Sequence, residues 1–231
     1  MADWLNVIII LFISYILGSI PFSYLITKIF AKKNIFELGW KKSSSSNVVK
    51  NVGKLPGLIS FLLDVGKGFL TIYLAQKLGF ASMVQVFCGV TAIVGHNWSI
   101  FVGGRGGRGL ATLIGVLTAF SPIFTAIAII PCIIFTLIWT ASIGTIISLI
   151  FGVFLGLASP SIGNLSPLNW QPAGYFILFS LVPIFIKRLS PWQEIFQSKG
   201  NQKIKLIKNR LLFDQDGVPA LRLKINKEKK K

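Results

Sequence analysis

The stretch Trp4–Ile26, WLNVIIILFISYILGSIPFSYLI, runs through 23 positions without one charged side chain. A soluble helix of that length carries a polar face, whereas about 20 apolar residues are what it takes to span the hydrocarbon of a bilayer. Leu55–Ala75 (LPGLISFLLDVGKGFLTIYLA) and Ser121–Thr140 (SPIFTAIAIIPCIIFTLIWT) repeat the signal. The whole chain agrees with them. Its 231 residues are 53% hydrophobic and 13% charged, about half the charge of an ordinary soluble domain. The fold class implied is an all-α polytopic membrane protein. The first run does not read as a signal peptide, because only Asp3 precedes it and its apolar core is too long.

Seven membrane helices are expected, over residues 5–28, 56–76, 82–95, 109–120, 123–139, 142–158 and 173–187. The third and fourth are short. Irregular backbone at membrane depth is tolerated only where protein or a water-filled cavity covers it, so the segment between them is expected to dip inward. The GSIP stretch, Gly18–Pro21, reads as a break in the first helix. A domain division at about residue 190 separates a membrane domain, 1–190, from a basic cytoplasmic tail, 191–231. Within the tail, LLF, DQDG and VPALRLKI read as a small hairpin with a turn at Asp216-Gly217.

The basic residues set the orientation. Of 24 Lys and Arg, seven fall in Lys28–Lys54, two in the segment after His96 and thirteen after residue 186. With the N-terminus outside and the C-terminus inside, 22 of the 24 lie on the cytoplasmic side or at its boundary. The net charge of +17 then needs no nucleic acid. Positive-inside bias and an anionic inner leaflet account for it, each surface cation being worth about 1 kcal/mol there. One histidine and two cysteines, both in apolar runs, give no metal-ligand spacing. No metal and no cofactor are expected.

The polar chemistry is concentrated in FVGGRGGRGLAT, Phe101–Thr112, with five glycines and two arginines in twelve residues. Glycine exposes backbone N–H groups, a following helix N-terminus favours an anion, and arginine grips phosphate through paired hydrogen bonds. Arg105, Gly106, Gly107, Arg108 and Gly109 are therefore the candidate phosphate binders. A flexible, positively charged turn is the plainer alternative, and the nucleotide P-loop pattern is absent. Ser46, Asn47 and Lys50, in a hydroxyl-rich loop on the same face, and Ser142 are further candidates. Asp64 and Lys67, three residues apart, are placed to pair on one helix face. They stand with His96 and Asn97 as supporting residues, each open to a purely structural role.

The segments Tyr15–Lys28, Ser46–Gly68, Gly95–Thr112 and Thr140–Ser148, in this order and spacing, resemble the bacterial acyl-phosphate:glycerol-3-phosphate acyltransferases, the PlsY family. The resemblance implies seven membrane helices with an outside N-terminus, a site at the cytoplasmic face of the bacterial inner membrane, and no metal. It implies transfer of an acyl group from acyl phosphate to glycerol 3-phosphate, giving lysophosphatidate for phospholipid synthesis, with a separate enzyme supplying the acyl phosphate. The family's K-G-G-K-G-V-A-T falls on Arg105–Thr112, its T-N-V-x-R on Ser46–Lys50, and its serine of the sixth span on Ser142. On this mapping Ser46, Asn47, Lys50, Arg108 and Ser142 are the catalytic set. The family's G-S-G-N falls on Gly39-Trp40-Lys41-Lys42, with tryptophan in place of serine. The C-terminal motif, resembling R-H-R-x-N, falls near Ile186–Glu194 without its histidine and asparagine. Two other readings are compatible with these residues: an impaired homologue that binds a phosphate-bearing lipid precursor, and a small-anion transporter.

Overall fold

A computed structural model describes residues 3–159, 169–190, 192–198 and 200–213. The apolar run that opens the chain forms α1 (Trp4–Ser19) and α2 (Phe22–Ala31), broken at Ile20-Pro21 as the GSIP stretch implied. Proline brings no N–H to the ladder, and the break leaves carbonyls at membrane depth that must find donors. Lys67 Nζ donates to the Ile20 carbonyl at 2.9 Å, and Ser99 Oγ to that of Ser19 at 2.5 Å. The break thus ties the first helix to two later segments that the site uses.

The chain continues through the short α3 (Ser45–Asn51), then α4 (Lys54–Lys77) and α5 (Ser82–Asn97). After the glycine-rich loop come α6 (Leu110–Phe120), α7 (Pro122–Ala128), α8 (Ile130–Ile138) and α9 (Ala141–Ala158). The last helices are α10 (Gln171–Leu189), α11 (Trp192–Gln197) and α12 (Gly200–Phe213). Among the described residues every regular element is helical.

Five segments are long and apolar enough to cross a bilayer: Trp4–Ala31, Lys54–Lys77, Ser82–Val102, Ala141–Ala158 and Gln171–Leu189. The shorter apolar segments are Leu110–Phe120 and Pro122–Ile138. The 11 residues of α6 reach about 16 Å, roughly half the hydrocarbon thickness. The span expected over 123–139 is two helices, joined at Ile129 just before Pro131. The expected hairpin in the tail is corrected in part. Residues 200–213 form a helix, so LLF is its last turn rather than a strand. Asp216-Gly217 and the rest of the tail lie outside the described residues.

Helix packing is set by small residues, as it is where lipid gives no hydrophobic drive between helices. Gly68 of α4 lies against the backbone of Thr112, and Gly115 of α6 against that of Val65, each so close that a Cβ would overlap its neighbour. The core between the helices gathers Ile72, Val86, Ile93, Val116, Phe124, Phe176, Ile177 and Ile184, all buried. Large apolar side chains such as Trp4, Leu137 and Phe154 point outward, 70% or more exposed, as lipid-facing positions do. A second cluster, Ile26, Ile35, Phe36 and Val48, seats the loop between α2 and α4 over one end of the bundle. The glycine-rich loop lies at that same end, where Ser43 N–H donates to the Gly106 carbonyl.

Candidate active site

The site starts from a buried ionic group at the meeting of α2, α4 and α5. Asp64 Oδ1 pairs with Lys67 Nζ at 2.8 Å, and His96 Nδ1 lies 3.5 Å from the same oxygen. Ser23 Oγ donates to Asp64 Oδ2 at 3.4 Å and shares a 2.7 Å bond with Ser60 Oγ. Asp64, Lys67 and His96 are all buried. A lone charge in this setting would be costly, so each ion depends on its neighbours. Asp64 also fixes the ring of His96, whose Nε2 faces Gly107.

The glycine-rich loop is built in two halves. Gly103 and Gly104 adopt left-handed backbone at φ 65° and 71°, are exposed, and have open space around them. Gly106, Gly107 and Gly109 are buried. A Cβ at Gly107 would collide with His96 Nε2 and the Ser43 carbonyl, so glycine is required there by close approach. The Gly107 N–H is engaged within the loop itself. It donates to the His96 carbonyl at 3.2 Å, because the loop must satisfy its own backbone at this depth. Asn97, at the end of α5, donates to the Pro183 carbonyl at 3.1 Å and ties the loop to α10.

The second loop is organised by Asn47. Its Nδ2 donates to the carbonyls of Ile35, Leu38 and Lys42 at 3.4, 3.1 and 3.0 Å. Its Oδ1 accepts from Trp40 N at 3.2 Å and Asn51 Nδ2 at 2.8 Å. Fully buried, Asn47 spends its polar atoms on shaping residues 35–42. Lys50 is also drawn away, its ammonium 4.9 Å above the Trp40 ring.

Three adjoining spaces result. A central cavity of about 440 Å³ is lined by Ser46, Asp64, His96, Gly107, Arg108, Gly109, Ser142 and Thr145, among others. An apolar groove of about 180 Å³ shares Leu110, Ile114 and Thr145 with it and continues along Leu113, Leu117, Ala128 and Ile177. On the other side lies a polar basin of about 680 Å³, with Lys41, Arg105, Lys187 and Arg210 on its walls. Trp40, Lys42, Gly107, Arg108 and Arg188 line both the cavity and the basin and form the partition between them. An apolar slot, a polar middle that carries charged side chains, and a cationic basin suit an acyl chain, its reacting end and a soluble anion.

Of the residues singled out from sequence, Ser46, Asp64, His96, Gly107, Arg108, Gly109 and Ser142 meet at the central cavity. Arg105 and Gly106 line the basin only, with the Arg105 guanidinium 4.5 Å from the Phe36 ring. Asn47, Lys67 and Asn97 are buried behind the walls, and Lys50 is exposed at the surface beside Trp40. Sequence reasoning passed over Lys42, Lys187, Arg188 and Arg210. Arg188 had a signal, since it lies in the segment where the C-terminal motif was sought. Lys187 lies in that same segment, and Lys42 stands at the last position of the G-S-G-N mapping; Arg210 had no signal beyond its charge. Among the described residues no three His, Cys, Asp or Glu side chains gather to hold a metal ion.

The profile of a family described as glycerol-3-phosphate acyltransferase matches residues 8–197. The chain is 32% identical to a glycerol-3-phosphate acyltransferase of Lactococcus lactis, over 98% of this chain and 100% of that one. It is 32% identical to glycerol-3-phosphate acyltransferase 5 of Dehalococcoides mccartyi, over 90% of this chain and 88% of the relative. A Prochlorococcus marinus glycerol-3-phosphate acyltransferase is 41% identical over 114 residues, and there the match spans 49% of this chain and 58% of the relative's length. In structure the chain is similar to crystalline PlsY, an integral membrane glycerol 3-phosphate acyltransferase. It matches the glycerol 3-phosphate form with a TM-score of 0.67 at 23% identity, covering 86% of this chain and 98% of that one. The lysophosphatidic acid form gives 0.65 at 25% identity, over 83% and 92%. With the profile covering most of its length and two relatives matched nearly end to end, the chain belongs to the glycerol-3-phosphate acyltransferase family.

Proposed function

We propose that this chain transfers a fatty acyl group from acyl phosphate to the 1-hydroxyl of glycerol 3-phosphate, forming lysophosphatidate. The observation that carries the reading is the succession of three adjoining spaces, groove and cavity meeting at Leu110, Ile114 and Thr145, cavity and basin at Arg108 and Arg188. The acyl chain lies in the groove beside Leu113 and Leu117, and the mixed anhydride reaches the central cavity. Glycerol 3-phosphate occupies the basin, with its phosphate on the cations and its hydroxyl toward the partition. The hydroxyl oxygen bonds to the acyl carbon, the bond from that carbon to the phosphate oxygen breaks, and inorganic phosphate leaves with the hydroxyl proton. Acyl phosphate is already activated, so the protein's work is to align the reactants and to neutralise two phosphates. Alignment and preorganised charge each contribute several kcal/mol to such steps.

In this scheme Arg108 spans both phosphates, Ser46 and Ser142 orient the reacting end, and Asp64 with Lys67 holds His96 and the loop in place. Trp40 offers no hydroxyl to the cavity it lines, so turnover is slower than in a relative with serine there. The chain makes seven crossings with its N-terminus outside, its site at the cytoplasmic face of a bacterial inner membrane and residues 191–231 as a cytoplasmic tail. The 22 of 24 basic residues on that side support the orientation. Another enzyme supplies the acyl phosphate.

The decisive assay supplies purified protein in lipid with acyl phosphate and glycerol 3-phosphate and measures lysophosphatidate. Product above background that falls with Arg108→Ala is expected, and rescue of a strain lacking its own acyltransferase should accompany it. Binding of glycerol 3-phosphate without product would instead favour an impaired homologue.

A further inference from the structure

Trp40 stands on the partition, lining both the central cavity and the basin. The other residues there are Lys42, Gly107, Arg108 and Arg188, so among the described residues the indole is the one aromatic group on that wall. The turn that carries it is tightly specified. Gly39 and Lys41, on either side, both have left-handed backbone, at φ 48° and 53°. Lysine adopts that conformation at a cost, and such a cost persists only where the surroundings dictate the backbone. Here they do. Trp40 N–H donates to Asn47 Oδ1 at 3.2 Å, and Lys41 N–H to the Leu38 carbonyl at 2.9 Å. A Cβ at Gly39 would overlap Asn47 Oδ1 and Asn51 Nδ2. The ring itself is held by the Lys50 ammonium, 4.9 Å from its centre. Trp40 is still 43% exposed. A turn that only reversed the chain would gain nothing from a half-exposed indole fixed through both its backbone and its ring.

We propose that Trp40 selects the acceptor: it keeps water from the acyl carbon, so that the hydroxyl of glycerol 3-phosphate receives the acyl group. The inference rests on the acyl-transfer reading given above. Acyl phosphate reacts with any hydroxyl that reaches its carbonyl. With water, the water oxygen bonds to the acyl carbon and the bond from that carbon to the phosphate oxygen breaks. Fatty acid carboxylate, inorganic phosphate and one proton are released. A polar space of about 680 Å³ is roomy enough for water, and it adjoins the cavity where Trp40 stands. The face of an indole offers an approaching water no good hydrogen bond. Glycerol 3-phosphate differs from water in its anchored phosphate, which holds the hydroxyl at the partition until it attacks. Keeping water from an activated group is a recognised task of a closed site, and the ring is placed to perform it.

The test supplies the full chain in lipid with acyl phosphate and glycerol 3-phosphate and measures lysophosphatidate and free fatty acid together, after subtracting fatty acid released without protein. Lys50→Gln frees the ring and should raise the ratio of fatty acid to lysophosphatidate roughly two- to fivefold, the scale of one cation–π contact. Trp40→Ala removes the ring and should raise the ratio beyond about fivefold, while KM for glycerol 3-phosphate moves by less than about threefold. Trp40→Phe keeps an apolar face and should stay within about twofold of wild type. A ring with a merely structural role would lower both products together and leave their ratio alone. An unchanged ratio in Trp40→Ala, or a Trp40→Phe chain as leaky as Trp40→Ala, would overturn the proposal. Should Trp40→Ala fail to fold, Lys50→Gln decides by the same ratio, a rise sustaining the proposal and no change overturning it. A wild-type chain that makes no lysophosphatidate refutes the acyl-transfer reading alone. Fatty acid release from acyl phosphate without glycerol 3-phosphate then carries the test. Faster release by Trp40→Ala than by wild type sustains the proposal, and equal release sinks it.

Discussion

Asp64→Asn removes the one carboxylate from the buried group at the base of the site. The structure gives the expected cost. Asp64 is 1% exposed and Lys67 4% exposed, with 2.8 Å between Oδ1 and Nζ. Deleting one member of such a pair strands the other charge and costs about 3–5 kcal/mol. Lys67 keeps its bond to the Ile20 carbonyl, which places the loss at the lower end, about 3 kcal/mol. Lys67→Met in the same chain removes the stranded ammonium and leaves the Ile20 carbonyl wanting a donor, about 1–3 kcal/mol by itself. The double variant should therefore be no less stable than Asp64→Asn, and recovery of about 1 kcal/mol is expected. Reversible unfolding in mixed lipid–detergent micelles, run as a double-mutant cycle, reads these differences. Activity should stay low in both variants, because His96 loses the carboxylate at its Nδ1. Additive losses in the double variant, with no coupling between the sites, would refute the claim that the two charges depend on each other.

Three further outcomes are expected from the site's geometry. Gly107→Ala should cost about 1–3 kcal/mol through overpacking and abolish most activity by displacing His96. Gly103→Ala, strained at φ 65° but facing open space, should cost about 1–2 kcal/mol and leave the kinetics intact; thermal unfolding beside the acyl-transfer assay separates the two. Arg108→Ala, on the partition, should lower kcat/KM roughly a hundredfold, and Arg105→Ala, on the basin wall only, roughly tenfold or less; a reversed ranking in steady-state kinetics would count against the assignment of the partition. Asn47→Ala should loosen residues 35–42, cost about 2–3 kcal/mol and speed proteolysis there, with no rescue by Asn47→Asp, which loses the donor that three carbonyls share.

Much of the fold was legible because the bilayer permits few answers. Uncharged runs of about 20 residues fix helices, and Ile20-Pro21 fixes a break, since a chain in hydrocarbon must satisfy its own backbone. The short α3 was missed although Ser44 caps it, accepting from Asn47 N at 3.4 Å. The polar composition of that loop masked a short helix. The first strand of the tail hairpin gave way to a helix for a related reason. A turn signal at Asp216-Gly217 says nothing of the residues before it, and Lys203–Phe213 had enough helix formers and a partner surface on α10 to continue as α12.

The sequence by itself determined the membrane class, the pairing of Asp64 with Lys67 at i and i+3, and the gathering of glycine and arginine in one loop. Those properties are local or compositional, and spacing along the chain is enough to express them. Which polar groups line the cavities was decided only by tertiary structure. Asn47 and the Gly107 N–H had the right chemistry for a ligand and are consumed by the backbone of Ile35, Leu38, Lys42 and His96. Arg188 and Arg210, two cations among many in a basic C-terminal region, line the basin because α12 folds back on α10. A donor serves whichever acceptor the fold brings within about 3 Å of it, and that choice is made by contacts between residues far apart in the chain.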